Sequence, residues 1–216
     1  MAAWYAATRN IVLAGLVATA GVLPGYAAPA VAVSDPGTVV SGLNGNLLAI
    51  MQNAQKLGYR GRYAALEPVV RQVFDVGYMT RMAIGSGWST LSADQQTQLT
   101  DAFRKFITAT YARRFDGYSG ERFVTDGVRP QGDTALVATR LIKSDGDPVV
   151  LNYVTHQGQD QDGRWQVVDI YLTGTISEMA TRRSEFASVF RRSGYDGLLQ
   201  VLQQKVVQIE SDPHLS

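Results

Sequence analysis

A chain of 216 residues with 45% hydrophobic and 18% charged side chains has the apolar content for a sizeable core, and disorder is not its default state. A domain of this length buries roughly 70% of the surface that its unfolded chain exposes. The net charge of +1 argues against a nucleic-acid binder, and the absence of Cys excludes a disulfide framework, a thiolate metal site and a thiol nucleophile.

Shortly after Arg9 comes IVLAGLVATAGVL, thirteen residues without charge. Such a run has the length of a signal-peptide hydrophobic region and is short for a bilayer span. Pro24 and Gly25 break it, and small residues follow. Residues 1–27 are therefore expected to be an export signal cleaved after Ala27, with Ala30 and Ala32 as alternative sites. Removing Arg9 with the signal leaves 19 basic and 19 acidic residues, net zero. No later stretch approaches a membrane-spanning length, which predicts a soluble mature chain.

Residues 28–37 read as a linker, 38–210 as one domain and 211–216 as a flexible tail. Val40, Leu43, Leu47, Ile50 and Leu57 recur at helical spacing, with Gly58 as the expected stop. A second helical stretch covers 59–75, with Pro68 as a break or a start. VGYMTRMAIGSGW predicts a short helix ended by a Gly85-Ser86-Gly87 turn. Ser92 and Gln95 form a capping box that opens what reads as the longest helix, 93–115. Its apolar stripe is Leu99, Phe103, Phe106, Ile107, Thr110 and Tyr111, and its polar face carries Gln96, Asp101, Lys105 and Arg113. The period then changes to two. Residues 121–130, 133–144, 147–157 and 163–174 predict four strands joined by short turns, hence antiparallel neighbours. Two helices close the chain, 177–194 with Met179, Phe186, Val189 and Phe190 inside, and 195–209 with Leu198, Leu199, Leu202, Val206 and Ile209 inside. The pattern predicts an α+β fold, a four-stranded curved antiparallel sheet packed against several helices, with a cone's mouth as a natural pocket.

Catalytic signals are few. His156 ends a strand and His214 lies in the tail, and their separation suggests no metal site. His156 reads as an exposed strand-end residue. No nucleophile elbow, zinc-protease motif or phosphate-binding loop occurs. Asp169 is the one candidate base, a carboxylate in the middle of the apolar strand WQVVDIYL, with Tyr153 or Tyr171 as a possible donor partner. The alternative is a structural strut paired with Arg140, Arg182 or Arg183, since buried carboxylates are usually paired. The strut is favoured. The inner face of this strand is either Val167 with Tyr171 or Val168 with Ile170 and Leu172, and the first is favoured although Asp169 shares it.

Two blocks carry more. In Phe74–Tyr118 the order Phe74, Asp75, Met79, Gly87, Trp88, Gln95 or Gln96, Phe103, Phe106, Tyr111 resembles the MlaC-type family of periplasmic lipid-binding proteins, also called toluene-tolerance auxiliary proteins. In Gly163–Lys205 the order Trp165, Val167, Asp169, Gly174, Arg183, Phe186 is similar to the same family's later pattern. Thr175-Ile176-Ser177 departs from the usual run after the glycine, which suggests a diverged branch, and the sequence as a whole resembles the family's hopanoid-biosynthesis-associated branch.

The resemblance implies a cone-like (NTF2-like) domain with an apolar cavity. It implies a non-enzymatic periplasmic carrier of a phospholipid or hopanoid-type lipid that serves outer-membrane maintenance. No metal and no cofactor are implied. The implied partners are an inner-membrane transporter complex and an outer-membrane lipoprotein or RND-type transporter, with transient membrane contact only. Placed by periodicity, the cavity lining would be Met79, Met82, Trp88, Phe103, Phe106, Ile107, Tyr111, Val137, Leu151, Tyr153, Val167 and Tyr171. Asp169, Gly174 and Arg183 would be structural. The competing readings are an exported cone-shaped enzyme with Asp169 as general base, and an adaptor with a filled core.

Overall fold

The computed structural model describes residues 35–158 and 163–211. The expected signal peptide, most of the expected linker and His214 lie outside the described residues. Asp35 caps the first helix, α1 (Pro36–Gln52), by accepting a hydrogen bond from the Thr38 amide at 3.1 Å, and Pro36 holds the first helical position. The single helical run expected up to Gly58 is two elements. Asn53 closes α1, and α2 (Ala54–Val73) follows directly. Gly58, at φ +58°, bends α2 instead of ending it. Pro68 also sits inside α2, where the burial of Leu66 and Val70 holds the helix together across the missing amide donor.

Asp75 caps α3 (Val76–Ile84) through the Tyr78 amide at 2.8 Å. The Gly-Ser-Gly stretch expected as a turn opens a 3-10 helix, Gly85–Thr90. The capping box at Ser92 and Gln95 opens α4 (Ala93–Arg114), with both reciprocal bonds formed, at 3.2 and 3.0 Å. Arg113, expected on the solvent face of α4, is buried. The reason is that α2 covers that face, tied there by Arg62, whose Nε donates to the Ala112 carbonyl at 2.8 Å. The two C-terminal helices meet end to end as α5 (Glu178–Ser211), kinked at Gly194 with φ +61°. The kink divides its 34 residues into two helical pieces, so α4, with 22 residues, remains the longest uninterrupted helix, as expected.

The strands β1 (Arg122–Gln131), β2 (Thr134–Ile142), β3 (Pro148–Gln157) and β4 (Trp165–Leu172) form the expected antiparallel meander. A fifth strand, β5 (Ile176–Ser177), extends it. Thr173 at φ +52° and Gly174 at φ +82° fold the chain back so that Tyr171 pairs with Ser177 and Leu172 with Ile176. Two residues carry no readable period, so the sequence assigned them to the turn and the helix that follow.

The sheet's inner face runs through Ala135 and Val137 of β2, Tyr153 and Thr155 of β3, and Val167 and Ile170 of β4, all buried. Within β4 the register shifts. Val154 pairs with Asp169 but Thr155 pairs with Val167, leaving Val168 as a bulge. Neither inner face expected for this strand is therefore correct. Val167 shares its side with Ile170 and Leu172, and Asp169 and Tyr171 fall on the other. Against the inner face pack Val40, Leu43 and Leu47 of α1 and the apolar sides of α2 to α5 in one continuous core.

Candidate functional site

An apolar cleft lies where α3, α4, β4 and α5 meet. Met79 enters from α3, Phe103, Phe106, Ile107 and Tyr111 from α4, Ile170 from β4 and Met179 from α5, with Phe74 beside them. Phe186 stands edge-on to both Phe103 and Phe106, at centroid distances of 5.7 and 5.8 Å, and Phe74 is edge-on to Tyr111 at 5.5 Å. Burial pushes the Tyr111 hydroxyl well above the ordinary tyrosine range, so it stays neutral and the cleft interior carries no charge. The cleft's volume is about 40 Å³, little more than the space of one water.

The mouth is the opposite in character. Glu178, the first residue of α5, accepts from Arg114 at 3.2 Å through Oε1 and from Arg182 at 3.1 Å through Oε2. The Arg182 guanidinium also lies 4.8 Å over the ring of Phe106 and 3.6 Å from Glu185. A charged bridge thus joins the last turn of α4 to the first turn of α5 across an apolar opening.

Asp169 sits beside this junction, and its partner is not an arginine. Oδ1 accepts from the amides of Ile170 at 2.7 Å and Met179 at 3.0 Å, and Oδ2 accepts from the Ser177 hydroxyl at 2.6 Å. Ser177 Oγ in turn accepts from the Ala180 amide at 2.8 Å. Together Asp169 and Ser177 satisfy the opening amides of α5. The three arginines considered for it are elsewhere. Arg182 bridges Glu178 and Glu185, Arg140 forms a two-pronged pair with Asp126 at 2.6 and 2.8 Å, and Arg183 is exposed.

Of the residues expected to line a cavity, the cleft brings together Met79, Phe103, Phe106, Ile107 and Tyr111. Val137, Leu151, Tyr153 and Val167 are buried in the filled core under the sheet, where the Tyr153 hydroxyl donates to Asn44 Oδ1 at 3.3 Å. Met82 is 38% exposed, because α3 turns it away from the core. Tyr171 is carried to the outer side by the bulge, and Trp88 lines a different pocket. Sequence reasoning missed Phe74, Ile170, Met179 and the three mouth residues Arg114, Glu178 and Arg182. In the sequence Phe74 is a motif position and Met179 a helix-interior position, and only the fold brings them together. The arginines and Glu178 carry no signal in a single sequence.

That second pocket, about 480 Å³, is polar and open. His156, expected to be exposed, is half-buried there. Its Nε2 lies 2.8 Å from Asp75 Oδ2, and its ring lies 4.8 Å from that of Tyr78. Arg81, Trp88 and Asp133 complete the walls. Among the described residues no group of side chains has the make-up of a metal site, and no helix is long and apolar enough to cross a membrane.

A curved antiparallel sheet covered by helices, with an uncharged cleft at their junction, defines an α+β binding domain. The pattern of the MlaC protein family matches residues 43–204, and the chain belongs to that family. Over 133 residues it is 23% identical to the intermembrane phospholipid transport system binding protein MlaC of Haemophilus influenzae, covering 61% of this chain and 62% of that protein. The chain thus spans about six tenths of the length of the curated relative it matches. The phospholipid-binding protein of Ralstonia solanacearum, solved in complex with a phospholipid, shares the fold with a TM-score of 0.70 at 24% identity, over 82% of this chain and 99% of that one.

Proposed function

We propose that this protein is a periplasmic carrier that holds the acyl chains of a phospholipid in the cleft between α3, α4, β4 and α5 and shuttles it between the inner and outer membranes. The observation that carries this reading is an uncharged aromatic and aliphatic cleft opening at a polar rim. Each buried CH₂ contributes about 0.8 kcal/mol, so the tails supply most of the affinity. A drug-sized ligand needs a site of roughly 300 Å³ or more, so in this reading the side chains of α4 and α5 part to admit the tails.

The family membership and the names of the two relatives support a phospholipid as cargo. A hopanoid-type lipid is the second candidate and rests on the overall resemblance of the sequence to that branch. Docking to an inner-membrane transporter complex and to an outer-membrane lipoprotein or RND-type transporter belongs to the same reading. The enzyme alternative is weakened by Asp169, whose two oxygens are both occupied by structural donors. Organic extraction of the purified protein followed by mass spectrometry is expected to recover a two-tailed phospholipid, and the mass separates it from a hopanoid. A lipid-free extract together with no uptake of labelled phospholipid from vesicles would sink the proposal.

A further inference from the structure

Resting on the carrier reading, we infer that Arg114 and Arg182 form a subsite for the phosphodiester of the lipid headgroup, and that Glu178 is the internal anion that competes for it. The two guanidinium groups come from different helices and converge on one carboxylate at the rim of the cleft, at 3.2 and 3.1 Å. Planar guanidinium forks match a phosphate's oxygens as well as a carboxylate's.

Within the cleft's lining two guanidinium groups face the single carboxylate of Glu178, and Arg182 has Glu185 as a second partner. A monoanionic phosphodiester would take the place of the Glu178 carboxylate between them. Its tails would run inward past Phe106, on whose ring Arg182 already rests at 4.8 Å. Glu178 is suited to yield, because at the first position of α5 its carboxylate stays favoured by the helix dipole when the arginines turn to a ligand.

The test compares phosphatidylglycerol and diacylglycerol carrying the same fluorescent acyl chain, bound by the wild-type protein and by two variants. The readout is the ratio of the two affinities. Arg114→Gln with Arg182→Gln should lower the preference for phosphatidylglycerol at least tenfold, and Glu178→Gln, which weakens the internal competitor, should raise it severalfold. An unchanged ratio in either variant would overturn the subsite, and Glu178→Gln keeps the test open should the double variant not fold. Titration with inorganic phosphate separates the two sources of this anion. Binding of inorganic phosphate as tight as that of the lipid would overturn the headgroup assignment in favour of a free-anion site. A wild-type protein that takes up neither lipid would overturn the carrier reading and this inference with it, whereas equal losses for both lipids in the double variant would overturn the inference alone.

Discussion

The cleft and the pocket both draw on α3, which sends Met79 into one and Tyr78 and Arg81 into the other. The pocket is an order of magnitude larger, about 480 against 40 Å³. Polar and aromatic side chains wall the pocket, with Asp75 and His156 held at hydrogen-bonding distance, whereas the cleft's interior walls are aliphatic and aromatic groups packed on one another. A polar wall keeps its hydrogen-bonding groups in contact with solvent, and an apolar wall gains most by packing on itself.

Three substitutions probe this contrast, in decreasing order of effect. Phe186→Ala removes the ring that is edge-on to both Phe103 and Phe106 and should cost about 3–5 kcal/mol of stability by chemical denaturation. A loss under 1 kcal/mol would show that the cleft walls are already loosely packed. Asp169→Ala strips the opening of α5 of its acceptors and should cost about 1–3 kcal/mol, with Asp169→Asn losing less because one acceptor oxygen remains. A catalytic base would instead leave the stability of both variants near that of the wild type. His156→Ala opens the polar pocket further and should cost about 1 kcal/mol, since Asp75 keeps its bond to the Tyr78 amide. The amount of lipid recovered with His156→Ala should match the wild type, and a drop would tie the pocket to the cleft.

Most of the fold was legible because it is written in local periods. The capping box at Ser92, the glycine at 194 and the four long strands each announce themselves within a few residues. What was hidden has no local period. The bulge at Val168 inverts the inside–outside alternation within β4, so a strict period of two fails in either phase: one carries Tyr171 inward and hides Ile170, and the other places those two correctly but turns Val167 outward. The burial of Arg113 depends on α2, whose Arg62 ties to Ala112 from 50 positions earlier in the chain. Opposite charges are the partners of Asp169 that a sequence can display, whereas the structure supplies backbone amides and a hydroxyl, donors that every residue or many residues carry. Half of the cleft was readable from the stripe on α4, and its mouth was not, because Arg114 and Glu178 are 64 positions apart.

Gly87, in the 3-10 turn after α3, has a side-chain-sized space that is already taken. A Cβ built there would meet Cε1 of Phe190 at 2.3 Å and Cδ1 at 2.5 Å. Positions 87 and 190 are thus a single allotment of volume divided between two places in the chain, all of it given to the aromatic ring. A methyl at 87 therefore requires the Phe190 ring to move or a smaller residue at 190, so a change at one position bears directly on the other.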